Sequence, residues 1–165
     1  MSEIAEYRLE RVFDAPRAMV WRSWTDPELL ARWYGPGVET IIHEFDLKPG
    51  GQWRNEMKWG ENSNLSKMVF QDVVPQEKLI WHHSSTDSDW NVASNPMMPD
   101  WPRTLLTTVV FEDLGAKTKV TLTQIPFEST EEEIACFAQA MSGMDSGWGK
   151  GYAVLDDVLA ELTSG

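Results

Sequence analysis

The chain has 165 residues, with 26 Asp and Glu against 14 Lys and Arg, a formal net charge of −12 and a single cysteine. A domain of this length buries roughly 70% of its unfolded surface, so one domain over 1–165 with one substantial core is expected. The acidic balance argues against nucleic acid and membrane as partners, Cys136 alone cannot make an intrachain disulfide, and without a basic-then-apolar leader or a membrane-length apolar run a soluble cytoplasmic protein is expected.

In chain order, residues 6–13 (EYRLERVF) alternate as a strand, with Tyr7, Leu9 and Arg11 on one side. Ala15-Pro16 opens a short helix that aligns Val20, Trp21 and Trp24. Asp26-Pro27-Glu28 is a helix start: Asp caps free N–H groups, Pro presets φ, and Glu suits the positive end of the dipole. The resulting helix, over 27–34, carries Leu29, Leu30 and Trp33, and Gly35-Pro36-Gly37 stops it. Six strands follow, over 38–47, 52–59, 66–75, 78–85 and a pair within 103–126, the first two hinged at Lys48-Pro49-Gly50-Gly51. From Thr130 the period becomes helical. Ile134, Phe137, Ala138 and Met141 recur behind a capping sequence at Ser129 or Thr130, and Trp148, Leu155 and Leu162 continue to the end. Glycines at 143, 147, 149 and 151 predict a break or kink between the two halves. A largely antiparallel sheet must cover its apolar face, and this last helix is the cover.

The runs FDAPRAMVWRSWTDPELLARWYGP, FDLKPGGQWRNEM and GWGKGYAVLDDVLAEL lie in this order along nearly the whole chain. In them the chain resembles the heat-shock protein 90 ATPase activator homologue family, within the START-like (SRPBCC) helix-grip superfamily that includes the birch pollen allergen. The resemblance implies an α+β helix-grip fold: a curved antiparallel sheet, two short helices after the first strand, and a long C-terminal helix. It implies that the tryptophans of the two short helices anchor the fold and line one end of an internal cavity. The superfamily hosts ligand carriers, aromatase/cyclases, hydrolase-like enzymes and chaperone regulators, so membership alone leaves function open. The family name adds a stress response and a chaperone partner to the expectations.

Residues two apart in a strand share a face. Ile41, His43, Phe45 and Leu47 form one such row, Trp53, Asn55, Met57 and Trp59 a second, and Leu79, Trp81, His83 and Ser85 a third. A cavity with a few polar groups on apolar walls is the usual small-molecule site. The candidates to line it are His43, Phe45, Trp53, Asn55, Met57, Trp81, His83, Trp90, Trp101 and Trp148. Either histidine could instead be satisfied by a backbone group or sit at a wet strand end. His82 and His83 leave opposite faces and cannot chelate one ion, and Cys136 sits on a periodic apolar helix face as inert core. GMDSGWGKGY lacks phosphate-loop spacing. No metal and no cofactor are expected. The long connection 85–102, with Trp90, Met97, Met98 and Trp101, is a lid, a partner surface, or a loop packed on its own domain or a second copy. These readings together predict an apolar small molecule held between sheet and C-terminal helix. The rivals are a cyclase- or hydrolase-like enzyme with His43 or His83 as general base, and a chaperone ATPase regulator.

Overall fold

The computed structural model describes residues 6–34, 39–94 and 99–164. In chain order come β1 (Tyr7–Phe13), α1 (Arg17–Thr25), α2 (Pro27–Trp33), β2 (Glu39–Phe45), β3 (Gln52–Trp59), β4 (Asn62–Val74), β5 (Lys78–Ser85), β6 (Thr104–Asp113), β7 (Thr118–Pro126) and α3 (Glu131–Ser164). The strands form one antiparallel sheet in the order β1-β7-β6-β5-β4-β3-β2, with β1 and β2 at the edges. This is the α+β helix-grip arrangement: a curved sheet with the long helix α3 across one face and α1 and α2 beside it. The expected stop at 35–37, the strand start at 38, Met97, Met98 and the side chain of Trp59 lie outside the described residues.

The local signals act as the residue types require. Asp26 accepts the Glu28 N–H at 3.1 Å and caps α2, with Pro27 in the first turn. Thr130 and Glu133 exchange backbone and side-chain bonds of 2.9 and 3.1 Å, a reciprocal capping box at the start of α3. At the β2–β3 turn Gly50 takes φ +84°, and a side chain at Gly51 would collide with the carbonyl of Asp46 at 2.1 Å. The strand read as starting at 66 begins four residues earlier, at Asn62, where it pairs with Trp59.

The expected break in α3 is absent, and the apolar face of its first half is narrower than expected. The helix runs without a break from Glu131 to Ser164, because mid-helix glycine costs stability without removing a hydrogen bond, and both halves are docked. Tyr152, Leu155, Val158 and Leu159 are buried in the second half and Phe137 in the first. Ala138 is exposed and Cys136 only half-buried, so the buried stripe of the first half is narrower than its periodicity suggests. Among the described residues no helix is long and apolar enough to cross a membrane.

The core lies between α3, the two short helices and the inner face of the sheet. Trp24, Trp33, Trp53, Trp81 and Tyr152 are all essentially inaccessible. Trp24 packs edge-on to Trp33 at 4.6 Å between centroids and contacts Trp81, Phe111, Trp148 and Tyr152. Trp33 also donates its indole N–H to the Ser23 carbonyl at 2.9 Å, tying α2 to α1. The short-helix tryptophans are therefore anchors of the fold.

Candidate functional site

The space expected between sheet and helix is largely filled by this aromatic packing. Among the described residues an apolar cleft of about 300 Å³ is open at one end, between the end of α2, β3 and the middle of α3. Its walls are Trp33, Tyr34, Met57, Met144, Gly147, Trp148 and Gly151. Each comes from a recognisable local device. The capped helix α2 delivers Trp33 and Tyr34, and strand alternation turns Met57 inward beyond Trp53 and Asn55. Helical spacing of three and four places Met144, Gly147, Trp148 and Gly151 on one face of α3. The two methionines are adaptable apolar groups, and the glycines leave room that any side chain would occupy. Among the described lining residues the only ionisable group is the Tyr34 phenol, whose pKa burial pushes upward, so the cleft holds no acid, base or nucleophile ready at neutral pH.

Of the ten candidates, Met57 and Trp148 line this cleft. Trp53 packs directly behind it, 5.0 Å from Tyr34 between ring centroids, and Phe45 and Trp81 lie against Trp53 in turn. Asn55 is buried and accepts the Trp53 indole N–H at 3.3 Å. His83 faces inward between Met68 and Leu105; its Nδ1 is shut off from solvent, and burial lowers its pKa to about 4. Trp101 packs on Phe137, near the start of α3 and away from the cleft walls.

Two candidates lie on the wrong side of the sheet. Ile42 pairs with Asn55 and Glu44 with Arg54, so His43 is an extra residue in β2. This bulge reverses the alternation: Ile42 joins the inner face, while His43 is exposed outside, 2.8 Å from Glu56. Trp90 meets the same outer cluster. Its ring is 5.5 Å from His43, and the Arg54 guanidinium sits 5.6 Å over it. Asp87 accepts the N–H groups of Asp89 and Asn91, curling the loop so that Trp90, at φ +66°, is laid on the outer face. In the described part of 85–102 Trp90 thus packs on the outer face of the sheet and Trp101 on α3, and neither is among the described lining residues of the cleft. His82 leaves the face opposite His83 and stacks on Phe127 at 4.3 Å, as alternation requires. Among the described residues no group of three or more His, Cys, Asp or Glu is placed to hold a metal ion.

Tyr34, Met144, Gly147 and Gly151 were missed as cleft residues. The signal was present in the four-residue spacing of Gly143, Gly147 and Gly151, which shares one helix face.

Residues 14–160 match the family described as Activator of Hsp90 ATPase homolog 1-like protein. The chain belongs to this family. The fold is shared with solved structures at low identity. A protein from Arthrobacter aurescens superposes with TM-score 0.78 at 23% identity, over 96% of this chain and 91% of its own. One from Staphylococcus epidermidis gives 0.77 at 19%, over 98% and 93%. One from Mycobacterium smegmatis gives 0.76 at 16%, over 98% of both chains. No curated protein matches this chain. Family membership alone leaves function open, and the cleft is the candidate site.

Proposed function

We propose that this protein binds a small apolar molecule in the cleft between α2, β3 and α3, in the cytoplasm and without turning it over. The observation that carries the reading is the cleft itself: three aromatic side chains, two methionines and two glycines, with no charged side chain among the described lining residues. At about 300 Å³ it is at the small end of ligand sites, suited to a molecule of up to about three rings. Burial of apolar ligand surface supplies the affinity, at roughly 25 cal/mol per Å² before the cost of immobilising the ligand. Enzyme chemistry is the weaker reading, because His43 lies outside and His83 does not line the cleft.

The test is titration with the neutral fluorescent dye N-phenyl-1-naphthylamine, in the wild-type chain and in Gly147→Leu. A Cβ at Gly147, which lines the cleft, meets nothing within 4 Å, so a leucine there is expected to take up cleft volume. Affinity is expected to fall at least tenfold with no loss of melting temperature. Absence of dye binding in the wild type, or equal affinity in the variant, overturns the reading. The family description favours one second reading, regulation of a chaperone ATPase. Stimulation of the host chaperone's ATP turnover by the protein, unaffected by Gly147→Leu, would support that role over ligand binding.

A further inference from the structure

The hydroxyls of the chain's three tyrosines meet three different situations. Tyr7 donates to the Asp145 carboxylate at 2.7 Å. The Tyr152 hydroxyl is sealed in the interior without a partner. Tyr34 lines the cleft and is only 7% exposed, yet its hydroxyl has no hydrogen-bond partner among the described residues and is not one of the atoms sealed from solvent. Burial alone raises its pKa, with no hydrogen bond or nearby charge contributing. Among the described walls of the cleft, Tyr34 alone is both nine-tenths buried and left with an unpartnered side-chain oxygen or nitrogen, since the Trp33 indole N–H is taken by the Ser23 carbonyl and Trp148 is half-buried.

Nothing in the fold uses this oxygen. The Tyr34 backbone N–H closes α2 on the Leu30 carbonyl at 2.9 Å, and the Tyr34 carbonyl accepts the Thr40 hydroxyl at 2.6 Å. Its ring meets Trp33, Trp53 and Trp148 edge-on, at 5.9, 5.0 and 6.0 Å between centroids. A phenylalanine would make every one of these contacts. A buried tyrosine usually bonds its O–H, and leaving such a group unpaired is costly enough to call for a reason.

We propose that the Tyr34 hydroxyl is the polar anchor of the cleft, donating its hydrogen to the carbonyl oxygen of an uncharged apolar molecule, an aryl ketone, aldehyde or ester. The inference rests on the reading of the cleft as an apolar-ligand site and names the ligand class that site takes. An acceptor is the matching group, because a phenol oxygen shares its lone pairs with the ring and so donates better than it accepts. Burial keeps the phenol protonated at neutral pH, so the hydrogen is there to give. A carboxylate does not fit: among the described residues no cation lines the cleft, and one hydrogen bond does not offset the cost of taking a charge out of water. Because the ring is already fixed, bonding to it adds little ordering cost.

The test is competition against N-phenyl-1-naphthylamine by 2-acetylnaphthalene and by 2-isopropenylnaphthalene, which carries a CH₂ in place of the carbonyl oxygen. Both are titrated into the wild-type chain and into Tyr34→Phe, which removes only the hydroxyl. The ketone should bind roughly three- to tenfold more weakly to the variant, while the affinity of the hydrocarbon stays the same or rises. A carbon-13 label at the carbonyl reports the bond directly, and its resonance should lie downfield in the wild-type complex relative to the variant. If the variant melts early, the wild-type resonance is compared with that of the ketone in hexane: a downfield position supports the bond and coincidence overturns it. 2-Naphthoate should compete at least roughly tenfold more weakly than the ketone. Ketone affinity unchanged by Tyr34→Phe, equal losses for both probes, or a ketone that fails to displace the dye where the hydrocarbon succeeds overturns the anchor and leaves the cleft reading standing. 2-Naphthoate competing as well as the ketone overturns the restriction to uncharged ligands. Failure of both uncharged probes to displace the dye overturns the cleft reading as well.

Discussion

His83 gives a quantitative test through pH. In the unfolded chain its imidazole titrates near 6.5, and in the native interior burial lowers that to about 4. Between these values the unfolded chain holds a proton that the native chain does not, so stability rises with pH across the window. The contribution is complete above about pH 6.5 and is drawn down as pH falls toward 4. At about 1.4 kcal/mol per pH unit, the loss approaches about 3 kcal/mol. The perturbation is His83→Gln, which removes the titrating group and keeps a polar side chain. Urea melts of both chains from pH 4.5 to 8 give the stability difference at each pH, and the carboxylates common to both largely cancel. The difference should be flat above pH 7 and move by about 2–3 kcal/mol against the wild type by pH 4.5. Parallel curves across the whole range would refute the argument, because they require an imidazole that is solvated or hydrogen-bonded in the native state.

Trp33→Ala should cost about 3–5 kcal/mol in denaturant melts, since it empties a buried site and strands the Ser23 carbonyl; a loss under about 1 kcal/mol would mean that the ring is not an anchor. Gly143→Ala and Gly149→Ala should each raise stability by about 0.5–1 kcal/mol, because the methyl enters open space in a helix, and a destabilised variant would show that the glycines have a packing role. Trp90→Gly should change stability by less than about 1 kcal/mol, the relieved φ of +66° offsetting lost contacts with His43 and Arg54. It should also leave dye affinity for the cleft unchanged, and a tenfold loss would return the loop to the role of a lid.

The elements of the fold were legible because each carries a local signature. Asp26-Pro27-Glu28 caps α2, Thr130 and Glu133 close the box at α3, and clean alternation from Gln52 to Met57 sets the inner face of β3. His43 was misplaced because a bulge has no such signature. One extra residue between Ile42 and Glu44 puts Ile42 and Phe45 on the same face, so a row read back from Phe45 by twos is out of step from His43 on, and nothing in the composition of ETIIHEF announces it. Trp90 followed the same error, since a loop tethered at both ends can fold over either face, and only the Asp87 turn and the exposed Arg54 decide which.

The cavity itself was harder to read, because the same residue types build a wall and fill a void. Nine tryptophans placed along the chain can line a cavity or pack against one another, and strand and helix periodicity says only that they point inward. Which outcome follows depends on the partner each ring meets. Trp24 meets Trp33, Trp81, Trp148 and Tyr152, and there the interior closes. Trp33, Tyr34 and Trp148 also border Gly147 and Gly151, and there an opening of about 300 Å³ persists. Two of the glycines that read in one dimension as a break in the helix, Gly147 and Gly151, border that opening in three dimensions. Binding at the cleft therefore depends as much on what α3 leaves out as on the aromatic residues that surround it.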